Sequence, residues 1–367
     1  MITTMRKHYI DNLRWIILLL LIPYHTAMAW NNWCEPNYIY FENNKYISSI
    51  IVFFSPYFMP LLFVLAGTST KYALMKRTGK EYLLERAKRL LIPLLFGTIL
   101  LMPVMTYIGD KFNYSYNDGF FKHYRIFFTK FTDLTGADGG FSIGQFWFCL
   151  YLFVISAISI GIITFLKNKS IKSLKITSFS IVMLLGLPLP LLSELLSIGG
   201  KSLIEYTYLF LLGYFVFSND YIINKSEKNA LHLFGIGIIA TVLNVYLFLW
   251  CDKEYDIFNY ITKYISEWFM ILALIGFSKK HLNFTGKVSD FMSKRSFLLY
   301  TWHFIWIVLI QYFLYIIVGN NIFALFTGTI VASYLITFIC AEICIRIPLL
   351  CFLTGTKYIS KKQRNTQ

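Results

Sequence analysis

Residues 11–25 read DNLRWIILLLLIPYH: Asp11 and Arg14, then eight apolar residues from Trp15 to Ile22, then Pro23, Tyr24 and His25. With the apolar residues that follow, the run approaches the roughly 20 residues a helix needs to cross hydrocarbon. A helix with a cation at one end and an imidazole within lipid depth carries costly groups that call for a function. Eleven residues advance a helix by about 1100°, which returns Arg14 and His25 to within roughly 20° of one face, about 16 Å apart along the axis. Asp11 stands in position to pair with Arg14 across three residues. This reading puts Arg14 at the cytoplasmic edge and His25 roughly mid-membrane.

The same kind of run recurs along the chain. Of 367 residues 57% are hydrophobic and only 14% charged, and mean hydropathy is +0.57, whereas soluble domains are about one quarter charged. The pattern predicts an all-α, polytopic integral membrane bundle of about ten transmembrane helices. They fall near residues 15–30, 47–67, 90–108, 145–166, 176–196, 202–217, 230–250, 257–278, 296–318 and 322–346. Pro188, Pro190 and the Gly199-Gly200-Lys201 turn interrupt the fifth and sixth, which are expected to be broken or tilted. One transmembrane domain over 1–356 and a basic cytoplasmic tail over 357–367 account for the chain.

The net charge of +15 invites a nucleic-acid reading, but position outweighs sum in a membrane protein. With the N-terminus inside, 24 Lys and Arg fall in cytoplasmic segments and 8 in outer loops. Both termini are therefore expected in the cytoplasm, the partner is the lipid bilayer, and no basic patch remains for nucleic acid. The segment 109–144 is aromatic and mixed in charge and is expected to cap the outer face. The six cysteines form no CxxC and no metal-ligand cluster, although Cys34 and Cys251 both fall outside and allow a disulfide. Ala27-Met28-Ala29 imitates a signal-peptide cleavage site, but Asp11, Arg14, Pro23 and His25 are foreign to such a peptide.

Two histidines, His25 and His303, lie within expected hydrocarbon depth. Each is either a core imidazole bonded to a neighbouring helix or a proton-transfer group. Arg86 and Arg89 lie three apart where the third span begins; their planar forks suit phosphate, and an anchor to lipid headgroups is the alternative. Phe63 to Gly67 ends the second span with small residues that permit close packing. Gln145-Phe146-Trp147-Phe148 reads as an interfacial aromatic belt. Gly199-Gly200-Lys201-Ser202 is not a phosphate loop, because the required first glycine is Leu195. There is no G-x-S-x-G elbow and no H-E-x-x-H helix.

Tyr9-Ile10-Asp11-Asn12-Leu13-Arg14, ten residues and His25 together resemble the first span of the acyltransferase-3 family of membrane proteins. Phe63 to Gly67 is similar to that family's FFxLSG end of the second span, with Ala66 in place of Ser. Arg86-Ala87-Lys88-Arg89 before Leu90-Leu91-Ile92-Pro93 looks like its R-x-x-R signature. Ser296 to His303 resembles its SYxxYLxH segment, departing at Phe297 and Thr301. The N-terminal third looks particularly like the branch that succinylates periplasmic glucans.

The resemblance implies transfer of an acetyl or succinyl group from cytoplasmic acyl-CoA to a hydroxyl of an extracytoplasmic, cell-envelope glycan, in a bacterial inner or cytoplasmic membrane. It implies acyl-CoA as donor substrate and no metal. His25 is expected as general base or covalent nucleophile, His303 as an orienting or second proton group, and Arg14, Arg86 and Arg89 as holders of CoA phosphates. Acceptor recognition is expected from the spans and outer loops. The rival is a secondary transporter or flippase with proton-coupled histidines; a receptor is a third reading, which the intramembrane ionisable residues disfavour.

Overall fold

The apolar runs fold as helices because lipid offers their backbone groups no partners, and a helix satisfies them internally. A computed structural model describes residues 7–131, 134, 140–168, 178–254 and 256–358. In chain order the helices are α1 (His8–Ala27), α2 (Lys45–Phe54), α3 (Phe58–Ala73), α4 (Gly79–Phe96), α5 (Met102–Asn113), α6 (Phe120–Thr129), α7 (Trp147–Asn168), α8 (Phe179–Leu184) and α9 (Leu189–Ser193). They continue as α10 (Leu203–Phe215), α11 (Asp220–Val245), α12 (Ile257–His281), α13 (Lys287–Val318), α14 (Ile322–Cys344) and α15 (Pro348–Leu353). A π-helical turn, Gly97–Leu101, joins α4 to α5.

Among the described residues, eight helical stretches are long and apolar enough to cross a membrane: His8–Trp30, Lys45–Ala73, Gly79–Asn113, Gly144–Leu166, Asp220–Trp250, Ile257–His281, Lys287–Val318 and Ile322–Cys344. The protein is an all-α polytopic helical bundle. At the fifth expected span the chain instead forms α8 and α9, separated at 185–188. Gly186 fits there against the Trp268 ring, where a Cβ would come within 2.5 Å of the indole. At the sixth, the 13 residues of α10 extend only about 20 Å, short of the roughly 30 Å hydrocarbon core. A two-residue hairpin, Ser197–Ile198 with Lys201–Ser202, precedes α10. Gly199 and Gly200 take φ of 56° and 71° in its turn, as such a tight turn requires. The Ser202 hydroxyl then caps α10 by accepting from the Glu205 amide at 3.1 Å.

The chain divides into two compact units. The first comprises Met1–Ile16, Val52–Arg86 and Leu152–Ser289; the second comprises Ile17–Ile51, Ala87–Tyr151 and Asp290–Gln367. The tail expected over 357–367 lies, from residue 359 onward, outside the described residues.

In the first unit α3 and α10 meet backbone to backbone. A Cβ on Gly67 would fall 1.9 Å from the Phe210 carbonyl oxygen, and one on Gly213 would fall 2.2 Å from that of Val64. The Thr68 hydroxyl donates across the seam to the Gly213 carbonyl at 3.1 Å. This is the close packing expected of Phe63 to Gly67. The α11 and α12 pair is held by the Thr241 and Ser266 hydroxyls at 2.6 Å and by Asn244 donating to Asn259 Oδ1 at 2.7 Å.

In the second unit, Gly97 lets the π turn close on the Phe146 ring, where a Cβ would sit 2.0 Å from it. Pro23 lies inside α1 and cannot donate to the Leu19 carbonyl one turn back. The Tyr334 hydroxyl of α14 donates to that carbonyl instead, at 2.7 Å, so the helix passes the proline without a buried orphan. In the expected outer segment, α6 packs on α5: His123 is buried, 2.9 Å from the Asp110 carboxylate, with Tyr107 and Tyr116 edge-on to its ring. Cys34 is exposed and Cys251 half-buried. Ala27, Ala29 and Trp30, at the imitation cleavage site, are buried.

Candidate active site

Helix α1 starts at His8 rather than near residue 15, with Tyr9 and Ile10 buried in its first turn. Arg14 consequently stands in its second turn and His25 in its last. The imidazole thus lies near the C-terminal end of the helix, five residues before the span His8–Trp30 ends.

Within the second unit, Gln311 of α13 donates to the Thr26 carbonyl at 3.1 Å, fastening the end of α1 to α13. That contact sets His25 beside His303, with ring centroids 5.3 Å apart. Phe304 stacks on His25 at 4.2 Å, and Tyr24 meets it edge-on at 5.2 Å. His25 keeps part of its surface exposed, while His303 is 1% exposed. His303 Nδ1 lies 2.8 Å from the Tyr300 carbonyl oxygen. A carbonyl only accepts, so in a neutral ring Nδ1 carries the hydrogen and Nε2 the lone pair. His303 Nε2 and His25 Nδ1 are both buried without a hydrogen-bond partner.

Gln145 and Phe146 are not an interfacial belt. They are 5% and 0% exposed, because the Tyr300 hydroxyl donates to the Gln145 carbonyl at 2.5 Å and the Gly97 turn receives the Phe146 ring. Gly144, with φ of 45°, turns the chain there, and a Cβ on it would meet the Met102 side chain at 2.3 Å.

The first unit gathers two of the three arginines. Arg14 donates to Ser69 Oγ at 2.8 Å and to the Asp11 carboxylate at 3.2 Å, so the expected i, i+3 pair forms. Arg86 donates through Nε to the Tyr82 hydroxyl at 2.8 Å and more weakly, at 3.4 Å, to Thr70 Oγ1. Tyr82 and Thr70 are themselves joined at 2.7 Å. Two guanidinium groups thus rest on the adjacent residues 69 and 70 of α3. Arg89, one turn further along α4, falls in the second unit; its side chain is exposed, and Gly355 closely approaches its carbonyl.

The sequence reading missed a pair of acids in the first unit. Glu205 of α10 and Glu267 of α12 are 7% and 1% exposed. They interact electrostatically with each other and with Lys263. The default that singled out His25, an ionisable group inside an apolar helix, applies equally to them. Among the described residues no His, Cys, Asp and Glu cluster could hold a metal ion.

The fold defines a polytopic membrane protein, with two imidazoles side by side in one unit and two guanidinium groups on α3 in the other. The family described as Acyltransferase domain, Acyl_transf_3, matches residues 7–342. The chain belongs to this family and is a membrane acyltransferase. No curated protein and no solved structure matches it.

Proposed function

We propose that this protein moves an acetyl or succinyl group from cytoplasmic acyl-CoA to a hydroxyl of an extracytoplasmic cell-envelope glycan. The membrane in which it acts is, on this reading, a bacterial inner or cytoplasmic membrane, with both termini inside. The observation that carries the reading is the His25 and His303 pair, each ring with a buried nitrogen free of protein partners. Such nitrogens are available to substrate protons. The placement of His25 in the last turn of α1 supports an acceptor arriving from outside.

His25 serves as the general base. The acceptor hydroxyl oxygen attacks the thioester carbonyl carbon while its proton passes to the imidazole, and the carbonyl π pair moves onto oxygen. The tetrahedral intermediate collapses, the C–S bond breaks, and the CoA thiolate takes the proton from the imidazolium. His303, its tautomer set by Tyr300, holds a second lone pair beside the reacting hydroxyl. Arg14 and Arg86 hold the CoA phosphates, for which planar guanidinium forks are suited.

Purified protein incubated with radiolabelled acyl-CoA and envelope glycan is expected to release free CoA and acylate the glycan. Glycan uptake into vesicles without acylation would instead favour transport.

A further inference from the structure

The side-chain amide of Gln145 has both its nitrogen and its oxygen buried without a partner. Exchanging the two atoms by an amide flip leaves the same two groups unsatisfied. Buried polar groups are ordinarily bonded, and each exception in a native fold calls for an explanation. A structural role does not supply one. The backbone of Gln145 already anchors the segment, accepting from the Tyr300 hydroxyl at 2.5 Å, and Phe146 fills the space at Gly97.

Position supplies an explanation. Tyr300 bonds the main-chain carbonyl of Gln145 through its hydroxyl and the His303 ring through its own carbonyl, so a single residue ties the Gln145 backbone to the His303 imidazole. His25 stands 5.3 Å beyond, ring to ring with His303. His25, His303 and Gln145 are among the side chains of this unit that keep a buried polar atom without a protein partner, and of these Gln145 is the one that leaves both a donor and an acceptor unmet. An acyl transfer needs an acceptor for the hydroxyl proton and a donor for the oxygen on which charge develops. The imidazoles provide the first. Arg295, the cation of this unit nearest in sequence, is spent on Glu342 and on the Phe291 carbonyl.

We infer that Gln145 is a catalytic residue whose side-chain N–H donates to the carbonyl oxygen of the acyl donor. The inference rests on the acyl-transfer reading above. As the acceptor oxygen bonds to the carbonyl carbon, the π electrons move onto that oxygen and the amide hydrogen bond strengthens. When the C–S bond breaks the pair returns to form the ester carbonyl, and the amide is unchanged.

The test compares unaltered protein with Gln145→Leu and Gln145→Asn, measuring kcat, KM for acyl-CoA and melting temperature in detergent. Gln145→Leu is expected to lower kcat by roughly 10²- to 10³-fold, the usual loss of an oxyanion donor. Its KM should stay within about threefold, since the interaction forms mainly in the transition state. Its melting temperature should hold or rise, because an apolar side chain replaces two unsatisfied polar atoms. Gln145→Asn, which keeps an amide, should recover part of the rate. Turnover of Gln145→Leu near the normal rate overturns the assignment, as does a loss of rate that tracks a fall in melting temperature and is not relieved in Gln145→Asn. Absence of transfer by the unaltered protein would instead remove the acyl-transfer reading and this inference with it.

Discussion

Replacing Arg86 separates donor binding from folding. Its Nε and Nη2 engage Tyr82 and Thr70, which leaves other N–H groups of the fork for a phosphate. Tyr82 and Thr70 bond each other at 2.7 Å, so Arg86→Ala strands neither, and the fold should tolerate the change. A hydrogen bond to a charged group contributes about 1.5–3 kcal/mol, and about 1.4 kcal/mol is tenfold. Arg86→Ala should therefore raise KM for acyl-CoA by about 10- to 150-fold at nearly constant kcat. Arg86→Lys keeps the charge but loses the fork, and a shift of about fivefold is expected. The decisive comparison uses acyl-pantetheine, which lacks the nucleotide phosphates. On that donor the variants should match the unaltered protein. An unchanged KM for acyl-CoA, or an equal shift with both donors, would refute phosphate binding by Arg86.

Three further outcomes are expected. Gly67→Val should lower the melting temperature by an amount worth at least about 1–3 kcal/mol, since even its Cβ meets the Phe210 carbonyl at 1.9 Å; an unchanged melting temperature would deny the backbone contact of α3 with α10. In protein whose Cys34 and Cys251 are replaced by Ser, cysteines at Met75 and Thr285 should label only from the cytoplasm and one at Asp118 only from outside. Labelling of all three from one side would overturn the topology. Tyr300→Phe removes the donor to the Gln145 carbonyl, and because Tyr300 keeps its own carbonyl on His303, it should reduce kcat less than His303→Ala; the reverse order would contradict the placement of the two residues.

The helical class was legible in the sequence because hydropathy acts locally: a run such as 322–346 is a span whatever surrounds it. The interruption of the fifth span was also visible, in Pro188 and Pro190, but the accommodation of the break by Trp268 against Gly186 was not. That contact joins residues 82 apart, and nothing local encodes it. The same limit explains Gln145, whose aromatic neighbours look alike at an interface and in a core; only Tyr300, 155 residues on, decides between them. His25 and His303 were individually conspicuous as imidazoles in apolar runs, while their pairing required the fold. Arg86 and Arg89 looked equivalent at three-residue spacing, and spacing alone could not show that Arg86 reaches the hydroxyl pair of Tyr82 and Thr70. Glu205 and Glu267 carry the same local signal as the histidines, an ionisable group within an apolar helix.

The most direct test of the account is single-turnover transfer by His25→Ala, measured alongside acyl-CoA binding to the same purified protein. Because the guanidinium groups on Ser69 and Thr70 are untouched, donor affinity should stay within about threefold of the unaltered protein, while transfer should fall by at least about 10²-fold, the contribution of a general base. Transfer by His25→Ala at a near-normal rate, with binding intact, would make His25 a packing residue and contradict its role as the base.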